Sequence, residues 1–153
     1  MRFSRTELLI GKEGLERLAS VRVAVFGIGG VGAYVAEALC RSGVGSLDLI
    51  DNDTVDISNI NRQLIALSST VGRFKTEVMR ERIEDINPGC KVYEHRCFYL
   101  PENRDEIDFT LYDYIVDAVD TISAKIDIIV RAKELNIPVI SSMGAGNKLN
   151  PAD

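Results

Sequence analysis

Two hydrophobic rhythms alternate along the chain. Residues 22–26, 46–50, 91–97, 112–119 and 138–142 are short apolar or β-branched runs bounded by turn residues, the pattern of strands. Helical spacing takes over between them. Val31, Val35, Ala38 and Leu39 recur on one face up to about Ser42, and Phe74, Val78, Ile83 and Ile86 form a loose stripe over residues 72–86. Residues 6–19 read as a first helix, with Leu8, Leu9, Leu15 and Leu18 apolar and Gly11 and Gly14 interrupting it. Gly43-Val-Gly45 is a turn, residues 55–67 a loop or short helix, and Asn87-Pro-Gly89 a helix stop. Pro101-Glu-Asn103 opens a short helix, and Ser123 is placed to cap a helix running to Leu135. Strands alternating with helices predict an α/β fold with a mostly parallel sheet covered by helices on both faces.

The first strand ends in glycines: Gly27, Gly29, Gly30 and Gly32 fall within six positions. Gly27, Gly29 and Gly32 satisfy Gly-x-Gly-x-x-Gly with a strand before and a helix after. Such glycines provide a tight turn, bare backbone for a phosphate, and close helix–strand packing, while the helix N-terminus faces the phosphate. A Rossmann-like, doubly wound nucleotide-binding domain is therefore expected. Asp51 closes the second strand about twenty residues on, where a carboxylate accepts hydrogen bonds from a ribose. That arrangement serves NAD and ATP equally.

The following residues separate the two. Ser58-Asn-Ile-Asn-Arg-Gln63 supplies Asn59, Arg62 and Gln63 in one segment, Lys75 lies on the next helix, and Asp120 ends a later strand at the carboxyl edge. A dinucleotide pyrophosphate, with about two negative charges, is held largely by one helix N-terminus. A triphosphate, with about four, needs fixed cations and usually Mg²⁺ held by a carboxylate. Singly, Lys75 and Arg62 are ordinary surface cations. Beside the glycine loop, an arginine fork, a lysine point charge and a strand-end aspartate form the set a triphosphate requires.

Composition narrows the classes further. A formal net charge of −5 excludes a general nucleic-acid-binding surface, although not a local basic patch. Cys40, Cys90 and Cys97 are odd in number and form no Cys-x-x-Cys pair, so neither a disulfide framework nor a zinc site is expected, and Cys40 reads as packing. His95, the one histidine, sits in a strand away from the motifs and reads as structural. With no apolar run of membrane-spanning length and no secretory signal, the expected compartment is the cytosol and no membrane partner is expected. One domain over 1–153 is expected, and Asn147-Lys-Leu-Asn-Pro-Ala-Asp153, following a strand and a turn with no closing element, reads as the end of a truncated piece.

Taken in order, Gly27-x-Gly-Gly-x-Gly32, Asp51-x-Asp-x-Val55, Ser58-Asn-x-x-Arg-Gln63, Val71-Gly-x-x-Lys75, Ile86-Asn-Pro88 and Asp117-Ala-Val-Asp120 resemble the adenylating domain of the ThiF/MoeB/HesA family, the prokaryotic branch of the ubiquitin-activating enzymes. The resemblance implies binding of Mg·ATP and attack of a substrate carboxylate on the α-phosphate. It places Gly30 at the phosphates, Asp51 at the ribose, Asn59, Arg62 and Lys75 along the phosphate chain, and Asp120 at Mg²⁺. It also implies a homodimer in which Arg5 reaches the partner subunit's ATP. Within the family, Asp51-Asn-Asp-Thr-Val55 and Ser141-Ser-Met-Gly-Ala-Gly-Asn-Lys-Leu149 look most like tRNA threonylcarbamoyladenosine dehydratases, which implies a modified adenosine in tRNA as the acceptor. The alternatives are activation of a ubiquitin-like sulfur carrier, an NAD(P)-dependent dehydrogenase, or a binding module that turns nothing over.

Overall fold

β1 (Arg22–Phe26) is the middle of the sheet, because its apolar run must be covered on both faces. β2 (Ser46–Ile50) pairs along one side of it and β4 (Tyr114–Asp117) along the other, with Val25 opposite Leu49 and Val116. β3 (Lys91–His95) lies outside β2 and β5 (Val139–Ser141) outside β4. The order is β3-β2-β1-β4-β5, and every strand pairing among the described residues is parallel. This computed structural model describes residues 2–144, so the expectations placed on residues 145–153 lie outside them.

Helices cover both faces, as the alternating pattern predicts. α2 (Gly32–Ser42) and α3 (Lys75–Ile86) bury Ala36, Cys40, Met79 and Ile83 against Val25, Leu47 and Leu49. α4 (Ile122–Glu134) buries Ala124, Ile128 and Ala132 on the opposite face, against Phe26, Phe109 and Ile115. Cys40 is packing, as expected, and burial pushes its thiol up to about 11. The chain runs outward from β1 to β2 and β3, then returns to the other side at β4. The strand order reverses between β1 and β4, so a crevice opens there at the carboxyl ends of the strands.

Several elements differ from the sequence expectation. α1 (Ser4–Ser20) breaks at Gly11 (φ 74°, ψ 173°) but continues through Gly14. It buries none of its residues, and Leu8 and Leu9 are 79% and 87% exposed. α3 starts at Lys75, because Gly72 takes φ +85°, the Arg73 carbonyl accepts the Val55 N–H and the Lys75 N–H donates to the Asp53 carbonyl, which sets Phe74 opposite Thr54 in an antiparallel bridge. Phe74 therefore leaves the apolar stripe and stacks beneath Arg96, whose guanidinium carbon is 4.3 Å from the ring. The strand expected over 91–97 stops at His95, whose carbonyl is taken by the Asp51 N–H. The strand expected over 112–119 is likewise confined to 114–117, with Phe109–Leu111 forming a 3₁₀ turn before it. α4 begins one residue before Ser123, and no side chain caps it.

Candidate nucleotide site

The glycine loop divides into two structural and two open positions. A Cβ on Gly27, which has φ +86°, would lie 2.6 Å from the Ala118 carbonyl oxygen. A Cβ on Gly32 would lie 1.7 Å from the Gly27 carbonyl oxygen. These two glycines let β1, β4 and α2 meet. Gly29 and Gly30 are different, because an added Cβ would meet nothing nearer than Gln63 Nε2 at 3.7 Å and Arg62 Cγ at 3.8 Å, respectively. Their bare backbone faces a cavity of about 470 Å³, within the usual range for a small-molecule site.

Three helices begin at this cavity: α2 beside Gly30 and Val31, α3 at Lys75 and α4 beside Thr121. No side chain caps any of the three. Residues at all three N-termini line the cavity, and the amide N–H groups and positive dipole end of such termini suit a polyanion, although the Lys75 N–H is taken by the Asp53 carbonyl. Arg62 and Lys75 add formal charge at the same wall. Arg62 is exposed, with its guanidinium donating to the Ser58 carbonyl at 3.1 Å and to Asn61 Oδ1 at 3.0 Å. Lys75 is 6% exposed, and its ammonium pairs with Asp53 Oδ2 at 3.0 Å. Lys75 is thus a buried cation held at the cavity wall rather than a solvated one.

Asp51 anchors the loop before it serves any ligand. Its Oδ2 accepts the Ile28 N–H at 2.7 Å and its Oδ1 accepts the Asp53 N–H at 2.8 Å. A carboxylate has about four acceptor positions, so capacity for ribose hydroxyls remains. Asp120 is exposed at the cavity, one turn from the end of β4. Asp117, three residues earlier, is fully buried and ion-paired with Lys125 at 2.7 Å, so it is not free to bind a metal. Among the described residues no group of three His, Cys, Asp or Glu side chains forms a metal cage. Mg²⁺ does not need one, since it is commonly held by one or two carboxylates plus substrate phosphates.

Gln63 lines the cavity beside Gly29, and its Oε1, sealed from solvent, has no hydrogen-bond partner among the described residues. A buried orphan acceptor costs stability until its side chain turns to meet a donor, such as a ligand hydroxyl. Not every candidate converges here. Asn59 is buried, its Oδ1 accepts the Asp56 N–H at 3.0 Å, and it is not among the residues lining the cavity. Arg5 is exposed on α1 and does not line it either.

The sequence pattern missed one wall. Cys97, Phe98 and Tyr99 line the cavity beside Asn52. They follow β3, the neighbour of β2 at the carboxyl edge, and that adjacency is the signal that would have found them. Tyr99 packs edge-on to Phe26, with ring centroids 5.1 Å apart, and its hydroxyl donates to Asp127 at 2.6 Å. The wall is therefore apolar and braced from behind, as a flat base requires.

Comparison with known proteins agrees with this geometry. The chain is 55% identical over 150 residues to the Bacillus subtilis tRNA threonylcarbamoyladenosine dehydratase, covering 97% of this chain and 59% of that relative. The crystal structure of the Escherichia coli tRNA N6-threonylcarbamoyladenosine dehydratase in complex with ATP superposes with a TM-score of 0.91 at 40% identity, covering 99% of this chain and 62% of that one. The complex of the same enzyme with AMP gives 0.93 at 41% identity, covering 99% of this chain and 61% of that one. The chain thus spans about three-fifths of the length of these relatives. The ThiF family model matches residues 3–150, and the chain belongs to the ThiF family.

Proposed function

We propose that this chain binds Mg·ATP and activates a substrate carboxylate as its adenylate, releasing pyrophosphate, and that the acceptor is the carboxylate of a modified adenosine in tRNA. The observation that carries the nucleotide is the convergence of three uncapped helix N-termini, Arg62 and Lys75 on one cavity with Asp120 at its rim. The tRNA acceptor rests on the names of the relatives at 41–55% identity. The compartment proposed is the cytosol, where ATP and tRNA are both at hand. No helix among the described residues is long and apolar enough to cross a membrane.

The chemistry asks little of the protein beyond binding and charge. The attacking carboxylate is ionised at neutral pH, so no strong general base is needed. Negative charge develops at the α-phosphate and on the departing pyrophosphate. The glycine-loop amides, Arg62 and Lys75 are fixed before the reaction and stabilise that charge without reorganising. Mg²⁺ held by Asp120 would screen the phosphates as a Lewis acid. Asp51 orients the ribose, and the Cys97–Tyr99 wall takes the base.

Arg5 has a role here only if a second copy covers α1. In this reading the exposed Leu8 and Leu9 belong to a homodimer interface, and Arg5 extends into the partner subunit's cavity.

Two substitutions separate the roles. Arg62→Ala removes a charge-assisted phosphate contact worth about 1.5–3 kcal/mol. Calorimetric titration should show Mg·ATP weakened by that amount and adenosine unaffected, whereas equal losses would take Arg62 off the phosphates. Asp120→Asn should leave the fold intact and abolish the Mg²⁺ dependence of ATP binding. Persistence of that dependence would move the metal to Asp53. For the acceptor, the test is pyrophosphate release from ATP with tRNA carrying the carboxylated adenosine, against a sulfur-carrier protein ending in glycine. Release with the carrier alone would overturn the tRNA assignment.

A further inference from the structure

Asp117 and Lys125 form a buried ion pair that none of the steps above uses. Asp117 is fully buried and Lys125 is 9% exposed. Asp117 Oδ2 accepts from Lys125 Nζ at 2.7 Å and from Ser141 Oγ at 2.5 Å, and Oδ1 accepts from the Val119 N–H at 3.1 Å. The same ammonium donates to the Ser142 carbonyl at 2.8 Å and approaches Ser141 Oγ at 3.4 Å. An ammonium has three protons, and these partners account for all of them. From α4, Lys125 therefore grips the carboxyl ends of β4 and β5 together.

Stability alone is a weak reason for such a pair, because well-packed apolar residues often replace a buried ion pair at no loss. Its position is more informative. The segment after Asp117 is the cavity wall of Ala118, Val119, Asp120 and Thr121. Ala118 donates to the Phe26 carbonyl at 2.8 Å, and its own carbonyl fills the space that a Cβ on Gly27 would take. Val119 is held by Asp117 itself. Asp120 thus follows two pinned residues, and the second pin depends on the orientation of the Asp117 carboxylate, which Lys125 fixes together with Ser141. Small displacements of groups facing a reacting centre are costly.

We propose that Lys125 is a positioning residue for the nucleotide site: by neutralising and orienting Asp117, it sets the 118–121 turn so that Asp120 faces the phosphates. The proposal rests on the Mg·ATP reading of the cavity. It requires that Lys125 act on the phosphate end and not on the nucleoside end, which is held by Asp51 and the Cys97–Tyr99 wall.

The experiment titrates Mg·ATP and adenosine by calorimetry into the unmodified chain, Lys125→Met, the double variant Lys125→Met with Asp117→Asn, and Lys125→Arg, with thermal midpoints measured alongside. Lys125→Met leaves Asp117 buried and unpaired, so both stability and affinity fall. In the double variant no buried charge remains, and the midpoint returns toward that of the unmodified chain. The amide at 117 is then free to turn, so Mg·ATP should stay weaker by about tenfold or more while adenosine changes less than about threefold. A double variant that regains full Mg·ATP affinity overturns the proposal and leaves the pair a structural element. If the double variant does not fold, Lys125→Arg decides: it keeps the charge but not the shape. It should weaken Mg·ATP about threefold to tenfold with adenosine unchanged, and unchanged affinity for both overturns the proposal. If the unmodified chain itself fails to bind Mg·ATP, the reading of the site fails first, and the proposal with it.

Discussion

Gly32→Ala is expected to destroy the fold, whereas Gly30→Ala, two residues away, is expected to keep the fold and lose the ligand. The Cβ of an alanine at 32 would sit 1.7 Å from the Gly27 carbonyl oxygen, a backbone atom that cannot rotate aside. Relief requires α2 to move off β1, and α2 carries Ala33, Ala36 and Cys40 of the core. The cost is about 3 kcal/mol or more, a large part of an ordinary domain's stability of about 5–15 kcal/mol. At Gly30 the nearest atom to a new Cβ is Arg62 Cγ at 3.8 Å, an ordinary contact. Stability should stay within about 0.5 kcal/mol, but the methyl projects where the proposed Mg·ATP would bring its phosphates to the backbone. Urea unfolding of both variants, with Mg·ATP titration of Gly30→Ala, checks the pair. A folded Gly32→Ala protein with normal affinity would contradict the assigned division of labour in the loop.

Asp48 carries the second large effect, far from the chemistry. It is fully buried in β2 and accepts from Arg22 Nε at 2.7 Å and Nη2 at 3.0 Å, bonds His95 Nε2 at 2.7 Å, and accepts from the Tyr112 hydroxyl at 3.2 Å. Arg22 also lies over the Tyr93 ring, 4.0 Å from its centroid. Asp48→Ala leaves these donors without their acceptor, and breaking a buried pair in this way costs about 3–5 kcal/mol. Burial alone would push the Asp48 carboxyl up, but hydrogen bonds from His95 and Arg22 and the charge of Arg22 hold it below the usual carboxylate range. A depressed folded value means that the ionised form stabilises the fold. That contribution is complete above the unfolded value of about 3.9 and is lost as pH falls through the folded value beneath it. Urea midpoints of Asp48→Asn and the unmodified chain should therefore differ most above about pH 4 and converge in stronger acid. A gap that does not narrow on acidification would remove Asp48 as its source.

The same residues show what a linear pattern carries and what it does not. β1 and β2 were legible because apolar alternation and the glycine loop bracket them, and their bounds of 22–26 and 46–50 match the structure. Gly27, Gly29, Gly30, Arg62, Gln63, Lys75 and Asp120 were singled out because each belongs to a motif with a mechanism, and all line one cavity, whereas Gly32 lies outside it. The wall of Cys97, Phe98 and Tyr99 was hidden because the apolar run of β3 continues into it, whereas the pairing of β3 with β2 stops at His95. Lys125 and Asp117 were illegible as a pair, since a lysine on an amphipathic helix reads as solvated until α4 is packed on β4. His95 was rightly read as structural, but its partner is set by β2–β3 register, which places β3 beside Asp48. The apolar positions of α1 were legible as a stripe but not as an exposed one.

The central claim, a cavity built for Mg·ATP, is tested most directly by thermal unfolding across concentration series of Mg·ATP, ATP with EDTA, and NAD. Ligand at about a hundred times its dissociation constant adds about 2.7 kcal/mol to stability. For a domain of this size that raises the midpoint by roughly 5–10 °C. The account predicts that rise with Mg·ATP, a smaller one when EDTA removes the metal, and none with NAD. A rise with NAD and none with Mg·ATP would contradict it, and Arg62, Lys75 and Asp120 would then need another explanation.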